Sequence, residues 1–307
     1  MPTAAHTVLL FLLAVSTVAA ADTATRAPAP APIPVTGPGV TGTVLRYPAF
    51  HSSHVAARNV DVWLPPSYGK DPTKRYPVLY MHDGQNLFDP ATSYGNVDWA
   101  VDEAMTSLVE KGAVREAIVV GIWNTPKRRE EYMPQRAVQG NVHMNVPGAE
   151  DLDATDIVSD RYLEFLVKEL KPFIDTTYRT LPGRADTFVM GSSMGGLISQ
   201  YAMSQYPDVF GGAGCVSTHW PAGNGIALDD FAAHLPDPAT HKYWFDYGTA
   251  TLDASYEPYQ QRADAILRKG GYVEGQNWIT RKFEGAEHSE KAWRLRVDQP
   301  LVFLLGH

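Results

Sequence analysis

The segment Gly191-Ser192-Ser193-Met194-Gly195 restricts the possible folds of this chain most strongly, because it has the form Gly-x-Ser-x-Gly. Residues 187–190 before it are apolar and partly β-branched, which predicts a buried strand, and residues 197–203 after it predict a helix. A serine on such a sharp turn presents its hydroxyl above a sheet, with the helix N-terminus behind it. The context predicts a nucleophile at Ser193, although an ordinary glycine-rich turn between strand and helix fits the same letters.

Strand-like and helix-like segments alternate through most of the chain. Residues 43–47 and 56–64 alternate apolar and polar positions, which is typical of antiparallel edge strands, whereas 77–82 and 117–123 are continuous apolar runs typical of central strands. Further strands are predicted at 213–217, 243–247 and 278–283, and helices at 97–108, 160–173, 257–268 and 291–297. This alternation predicts a single α/β domain with a mostly parallel, doubly wound sheet.

The composition excludes several classes of function. The chain has 307 residues and a formal net charge of −8, so the basic surplus of a nucleic-acid-binding protein is missing. Its single cysteine, Cys215, lies in a small apolar stretch and is expected to be buried. The sequence contains neither Cys-x-x-Cys nor His-Glu-x-x-His, the common patterns of zinc sites. We therefore expect no metal, no cofactor and no nucleic-acid partner.

The N-terminus resembles a secretory signal peptide. Residues 8–15 are apolar and are followed by serine, threonine and alanine, and this run is too short to anchor the chain in a membrane. We expect a signal peptide over residues 1–21, with cleavage after Ala20 or Ala21, and hence a secreted or periplasmic protein. Because no lysine or arginine precedes the apolar run, a disordered apolar N-terminus is the alternative.

Residues 22–42 are rich in alanine and proline, which predicts a disordered linker before a domain at 43–307. Residues 37–42 within it match Gly-x-Gly-x-x-Gly. However, Pro38 breaks the turn, no predicted strand precedes the match and no helix follows it. We therefore reject a dinucleotide site at this position.

Residues 124–156 are polar and charged and lack clear periodicity. A long irregular insertion in a compact domain is usually functional or disordered. This one follows the end of a predicted strand, where open α/β sheets bind their ligands. We expect a lid or a wall of the substrate site, with a loop that plays no part in binding as the alternative.

A catalytic serine needs a histidine base, which in turn needs a carboxylate to orient it. In α/β-hydrolases these residues follow in the order Ser, acid, His. His288 fits the last position because it follows the final predicted strand, although a surface histidine would look the same. Asp253, in a turn after the penultimate strand, is the favoured acid, and Asp246 and Glu257 are the alternatives.

Two backbone N–H groups are expected to stabilise the oxyanion that forms during acyl transfer. The residue after the nucleophile, Met194, is expected to supply one of them. The pair Gly84-Gln85 follows an early central strand and permits a tight turn, so we assign the second N–H to Gln85. A simple surface turn is the alternative interpretation of this pair.

Three segments together resemble the Putative esterase family: residues 81–88 (Met-His-Asp-Gly-Gln-Asn-Leu-Phe), residues 191–196, and residues 285–288 (Gly-Ala-Glu-His). That family contains enterochelin esterases, S-formylglutathione hydrolase (esterase D), the feruloyl and acetylxylan esterases of carbohydrate esterase family 1, and mycolyltransferases. The resemblance covers about residues 42–305, and residues 128–134 also resemble enterochelin-esterase-like members. It implies an α/β-hydrolase fold, the same triad and the same oxyanion donors.

The resemblance does not select a substrate, because members of this family differ in both acyl and alcohol groups. The expected export argues against the typically cytosolic esterase D type. Arg128 and Arg129 are candidates for binding an anionic siderophore ester, although a solvated charged loop is the favoured interpretation. Large aromatic residues are candidates for lining an acyl pocket or for packing in the core: Trp99, Trp123, Tyr132 and Trp220.

Three functions follow from these expectations. The favoured one is a secreted serine esterase that hydrolyses a small-molecule or carbohydrate ester without a cofactor. The second is acyl transfer to a sugar or lipid alcohol by the same residues. The third is a non-catalytic binding protein on a hydrolase scaffold, which the complete set of candidate catalytic residues disfavours. The sequence predicts no particular oligomeric state.

Overall fold

The computed structural model describes residues 1, 30–139 and 153–307. Apart from Met1, the predicted signal peptide lies outside these residues, and so does the segment 140–152 of the predicted lid. Among the helices of the described residues, none combines the length and apolar character needed to cross a membrane.

One sheet of nine strands organises the described part of the chain. Its spatial order is β1-β2-β3-β5-β4-β6-β7-β8-β9. The pairs from β1 to β5 in this order are antiparallel, and every pair from β5 to β9 is parallel. The strands are β1 Ile33–Val35, β2 Thr43–Phe50, β3 Arg58–Leu64, β4 Val78–His82, β5 Ile118–Ile122, β6 Thr187–Ser192, β7 Gly212–Val216, β8 Lys242–Gly248 and β9 Trp278–Phe283.

Helices cover both faces of the sheet. They are α1 Val101–Glu110, α2 Arg128–Tyr132, α3 Gln135–Val138, α4 Ser159–Glu164, α5 Lys171–Thr177, α6 Met194–Gln205, α7 Ile226–Ala233, α8 Glu257–Lys269, α9 Glu290–Arg294 and α10 Asp298–Leu305. A π-helical segment, Phe165–Leu170, joins α4 to α5. The expectation of one α/β domain with a mostly parallel, doubly wound sheet is confirmed, and the fold is that of the α/β-hydrolases.

The two faces of β4 show how the core is divided. Val78 and Tyr80 pack on the face that α4–α7 cover, while Leu79 and Met81 pack on the face of α1, α9 and α10. All five residues of β4 are buried, as expected for a central strand. Cys215 in β7 is also buried, and this burial raises the pKa of its thiol well above the usual value.

The structure differs from the sequence expectation in two segments. Ile33–Val35, inside the predicted linker, forms β1 on the edge of β2, and the backbone N–H of Thr41 donates to Asp102 Oδ2 at 2.5 Å. The described part of the predicted irregular loop is also ordered, because residues 128–132 and 135–138 form α2 and α3. Each of these three elements is too short to give a hydrophobic period in the sequence.

Candidate active site

Ser193 lies on the turn between β6 and α6, half-buried, with φ 57° and ψ −122°. This left-handed backbone conformation is costly for a residue other than glycine. Two neighbouring glycines allow the close packing of the turn. A Cβ on Gly191 would lie 2.8 Å from the Gly195 carbonyl oxygen, and one on Gly196 would lie 2.8 Å from Thr218 Oγ1. The predicted strand, sharp turn and helix are all present.

Three further residues with positive φ lie at the carboxyl ends of strands of the parallel sheet: Asp83 after β4 (57°), Ser217 after β7 (40°) and Thr251 after β8 (54°). Non-glycine residues adopt this conformation rarely, and such residues cluster at functional sites. Together with Ser193 they surround the sheet edge at which α/β folds bind ligands.

His288 lies in the loop between β9 and α9, and its Nδ1 is 2.5 Å from Asp253 Oδ1. The loop is fixed to the end of β8, because the backbone N–H of His288 donates to Thr251 Oγ1 at 2.8 Å. A Cβ on Gly248 would lie 2.1 Å from the Ala286 carbonyl oxygen, so only glycine permits this approach. The structure therefore brings together the base and the acid predicted from sequence.

Asp253 is 1% exposed and accepts three hydrogen bonds. Its Oδ2 accepts from the Gly248 N–H and from Ser217 Oγ, each at 2.6 Å, while Oδ1 faces His288. Burial raises the pKa of this carboxyl, but the hydrogen bonds and the His288 charge outweigh burial, so the net pKa is lowered. The carboxyl is thus held in its charged form.

The two alternative acids lie elsewhere. Asp246 is fully buried in β8, 2.9 Å from Arg296 Nη2 and 2.8 Å from Trp244 Nε1. Burial raises its pKa although Arg296 opposes the shift. Glu257 pairs with Lys282 at 3.0 Å on the surface. Neither carboxyl makes a hydrogen bond to His288, so of the three candidates only Asp253 does.

Ser193 and His288 line one cavity of about 530 Å³. A second cavity of about 560 Å³ lies along residues 282–296 but is lined by neither of them. The first cavity is the candidate active site because both the Ser193 and His288 side chains line it. Its lining is Asp83, Gln85, Asn86, Tyr94, Asn124, Arg128, Ser192, Ser193, His288, Glu290 and Trp293.

The N–H groups of Gln85 and Met194 are both in first turns of helical segments. Met194 is the first residue of α6, and Gln85 lies in a short 3₁₀ turn, Gly84–Asn86, after β4. First-turn N–H groups lack intrahelical partners, so they remain free to bind an anion. A Cβ on Gly84 would lie 2.4 Å from the Gly121 carbonyl carbon, so β5 restricts this position to glycine.

None of the four aromatic candidates lines the cavity. Trp99 stacks behind Trp293 at 5.4 Å between ring centroids. Trp220 is 1% exposed and packs on Phe231 in the core. Tyr132 is fully buried. The expectation that Trp99, Tyr132 and Trp220 contact substrate is therefore wrong, because each faces the protein interior. Trp123 is half-buried, with Arg46 over its ring at 4.4 Å, and also lies outside the lining.

Arg128 and Arg129 have different environments. Arg128 lines the cavity, and its Nε and Nη2 each lie 2.7 Å from an oxygen of Asp83. Arg129 is exposed and outside the lining, so the expectation that it contacts substrate is not supported by its position. Asn124 and Arg128 come from the predicted lid segment, so its described part does form a wall of the cavity.

Among the residues of the site that sequence reasoning missed are Asn124, Ser217, Glu290 and Trp293. Trp293 stands edge-on to the His288 ring at 4.9 Å between centroids and donates Nε1–H to Ser217 Oγ at 3.0 Å. The only sequence signal for them was their place just after predicted strands β5, β7 and β9.

The elbow, the histidine–aspartate pair and the parallel sheet define a serine hydrolase of the α/β-hydrolase class. The chain belongs to the family described as "Putative esterase", which matches residues 53–299, and it is a serine esterase. The resemblance seen in the sequence is thereby confirmed.

Individual proteins are similar over most of the chain. YbbA of Bacillus subtilis (strain 168), itself uncharacterized, is 27% identical over 262 residues, which are 83% of this chain and 96% of YbbA. A ferulic acid esterase structure has a TM-score of 0.59 at 20% identity, covering 85% of this chain and 97% of that one. The enterobactin esterase FES from Shigella flexneri has a TM-score of 0.62 at 18% identity, covering 90% of this chain and 60% of that one. At these identities the two structures share the fold.

Proposed function

We propose that this protein is an exported esterase that hydrolyses a carboxylic ester through Ser193, His288 and Asp253. One observation carries the proposal. His288 Nδ1 lies 2.5 Å from the buried Asp253 carboxylate, and His288 shares a cavity with the hydroxyl-bearing elbow residue Ser193. This is the combination that serine nucleophiles require.

In the acylation step, Ser193 Oγ attacks the ester carbonyl carbon while His288 Nε2 takes the hydroxyl proton. The carbonyl oxygen becomes an oxyanion, which the N–H groups of Gln85 and Met194 stabilise. The intermediate then collapses and breaks the bond to the alcohol oxygen. His288 returns its proton to that oxygen, and the alcohol leaves.

In the deacylation step, His288 takes a proton from water, and the resulting hydroxide attacks the acyl-enzyme carbonyl. The bond to Ser193 Oγ breaks, His288 protonates that oxygen, and a carboxylic acid is released. Asp253 remains ionised throughout and stabilises the imidazolium. The lowered pKa of this carboxyl supports that role.

The test is the variant Ser193→Ala, assayed on p-nitrophenyl acetate. We expect kcat to fall by at least about 10³-fold with the fold intact, because loss of the nucleophile removes the covalent route. Ser192→Ala, one residue earlier, is the control and keeps measurable turnover. A fluorophosphonate should also label Ser193 in the native protein, as peptide mass mapping would show. Substantial turnover by a folded Ser193→Ala protein would overturn the assignment.

The substrate belongs to the small-molecule or carbohydrate esters. The structural neighbours, a ferulic acid esterase and an enterobactin esterase, suggest a panel of feruloyl esters and a siderophore ester, to which acetylated sugars are added. Adding an acceptor alcohol and analysing the products separates hydrolysis from acyl transfer. A transesterified product that outweighs the free acid would favour acyl transfer.

Export is proposed from the apolar segment at residues 8–15. Intact-mass measurement on the exported protein should give a mature chain that begins at Ala21 or Asp22. Protein that stays in the cytosol and retains Met1 would contradict the proposal.

A further inference from the structure

The cavity around Ser193 contains more acidic than basic side chains. Two carboxyl groups line it, those of Asp83 and Glu290, together with one guanidinium, that of Arg128. Whether the wall carries a net charge depends on how these three groups are paired.

Asp83 and Arg128 neutralise each other. The two groups form a two-point ion pair with both N···O distances at 2.7 Å, and Asn124 Nδ2 donates a further bond to Asp83 at 2.6 Å. Burial raises the pKa of Asp83, but the charge of Arg128 outweighs burial and lowers it overall. The charge of the guanidinium is therefore already balanced within the wall of the cavity.

Among the described residues Glu290 has no such cationic partner, since no lysine, arginine or histidine lies within 4.0 Å of its carboxyl oxygens. Its hydrogen-bond donors are its own backbone N–H and Asn86 Nδ2, the latter at 3.4 Å. Asn86 is oriented by the Tyr94 N–H, which donates to its Oδ1 at 3.0 Å and leaves the NH₂ group facing Glu290. Burial raises the pKa of Glu290 and the charge of Asp83 adds to the rise, whereas the Glu290 backbone N–H, His288 and Arg128 oppose it more weakly.

We propose that Glu290 makes this cavity selective for charge, so that esters with a positively charged acyl or alcohol group are preferred over neutral ones and anionic esters are disfavoured. The inference rests on the proposed function, because the ester must occupy this cavity. A single unpaired carboxylate in a partly desolvated wall attracts a cation and repels an anion. Trp293 and the 77% exposed Tyr94 add aromatic surfaces of the kind that organic cations favour.

The test uses two esters of the same shape: acetylcholine and its uncharged isostere, in which carbon replaces the quaternary nitrogen. At mildly alkaline pH and low salt, the wild-type kcat/KM should favour the cation by about tenfold. Glu290→Gln should bring the ratio close to one. Because both esters are cleaved by the same triad, any general loss of rate cancels in the ratio. A third acetate ester, with a carboxylate in place of the ammonium group, should gain relative to the neutral ester in this variant.

Glu287→Gln is the matched control, because this exposed glutamate lies in the same loop but outside the lining of the cavity. It removes the same charge and should keep the wild-type ratio. Equal ratios in the wild type and Glu290→Gln would overturn the proposal, as would loss of the preference in Glu287→Gln.

A binding measurement keeps the test independent of turnover. Choline and its carbon isostere can be titrated calorimetrically into Ser193→Ala, with and without Glu290→Gln. Tighter choline binding that needs Glu290 supports charge selectivity even if no ester is hydrolysed, in which case only the proposed function fails. Equal binding of the two alcohols would reject the role of Glu290 while leaving the esterase intact.

Discussion

At the residue scale, the hydroxyl of Ser217 is fixed in direction. It accepts hydrogen bonds from Trp293 Nε1 at 3.0 Å and Arg296 Nη2 at 2.9 Å, so its single proton is left for Asp253 Oδ2 at 2.6 Å. A hydroxyl has one proton to donate, and the two N–H donors occupy its acceptor positions. Ser217 therefore positions the carboxylate that in turn orients His288.

We expect Ser217→Ala to lower kcat about tenfold with little change in KM, because Asp253 loses one of its three hydrogen bonds. The acid limb of the kcat/KM profile should move to higher pH, since the Ser217 hydrogen bond no longer helps to lower the pKa of Asp253. A pH–rate profile measures both effects, and Ser255→Ala, in an exposed turn nearby, is the control. A lower melting temperature with an unchanged profile would mean that Ser217 acts only in folding.

Asp246, inside β8, and Asp253, in the turn after β8, should respond in opposite ways to replacement by asparagine. Asp253→Asn should lower kcat by orders of magnitude and leave the melting temperature nearly unchanged, because an amide favours the wrong histidine tautomer. Asp246→Asn should cost about 3–5 kcal/mol of unfolding free energy, since Arg296 is then left buried without its counter-charge. For each variant, unfolding experiments measure the stability and turnover of p-nitrophenyl acetate measures kcat. The assignment of Asp253 fails if Asp246→Asn abolishes turnover with the fold intact while Asp253→Asn does not.

At the element scale, a buried ion pair holds α2 against the sheet. Arg58 of β3 and Glu131 of α2 each have side chains 1% exposed, with N···O distances of 2.7 and 2.8 Å. The same short helix begins with Arg128, which binds Asp83 at the wall of the cavity. The position of this wall therefore depends on a contact buried beneath it.

Glu131→Gln should lower the free energy of unfolding by about 3–5 kcal/mol, because Arg58 keeps its charge without a partner. Chemical denaturation measures the loss. Glu130→Gln, one position earlier on α2 and absent from any ion pair within 4.0 Å among the described residues, should stay within about 0.5 kcal/mol of the wild type. Equal losses in both variants would show that helix propensity, not the ion pair, is responsible.

The sequence predicted the long, strongly patterned elements and missed the short ones. Residues 278–283 were predicted as a strand and form β9 over the same range, because four of the six residues are aromatic or β-branched, which is typical of strands. The strand β1 has three residues, and the helices α2 and α3 have five and four. Neither the strand period nor the helix period of hydrophobic residues can be recognised over so few positions. The helix α10 was missed because the predicted C-terminal helix ended at residue 297.

The prediction of the site was limited as well, because a sequence shows the order of residues along the chain but not their contacts. Ser193, Asp253 and His288 could be proposed because each follows a recognisable strand in a known order. Trp220 could not be placed, since a sequence does not show whether an aromatic ring after a strand turns to the cavity or to the core. Glu290 was missed because its significance lies in the absence of a cationic partner, which depends on contacts between distant segments.

At the scale of the whole molecule, a buried histidine makes the fold sensitive to acid. His82 ends β4, is 2% exposed, and its Nδ1 lies 2.7 Å from Tyr162 Oη. Its Nε2 is buried and has no hydrogen-bond partner among the described residues. Burial lowers the pKa of His82 to about 3, with Arg128 and Arg58 lowering it further and Asp83 opposing the shift.

A histidine whose pKa is lowered in the folded state contributes stability above its unfolded pKa and loses it as the pH falls towards the folded value. We therefore expect the wild type to lose about 1.4 kcal/mol of unfolding free energy per pH unit through His82 between about pH 6 and pH 4. Denaturant melts across this range should show a shallower acid slope for His82→Gln than for the wild type. His51→Gln, at an exposed position, should keep the wild-type slope. Parallel slopes for all three proteins would exclude His82 as the source.

The four residues with left-handed backbone conformation at the carboxyl ends of β4, β6, β7 and β8 also bear on laboratory evolution of this enzyme. Glycine adopts that conformation at little cost, so replacing the exposed Thr251 by glycine would relax the backbone. The same replacement would delete the hydroxyl that accepts the His288 N–H and fixes the loop of His288. A selection that rewards heat resistance alone can therefore retain a variant with a looser His288 loop, and thermostability libraries of this protein should be screened for turnover in the same round.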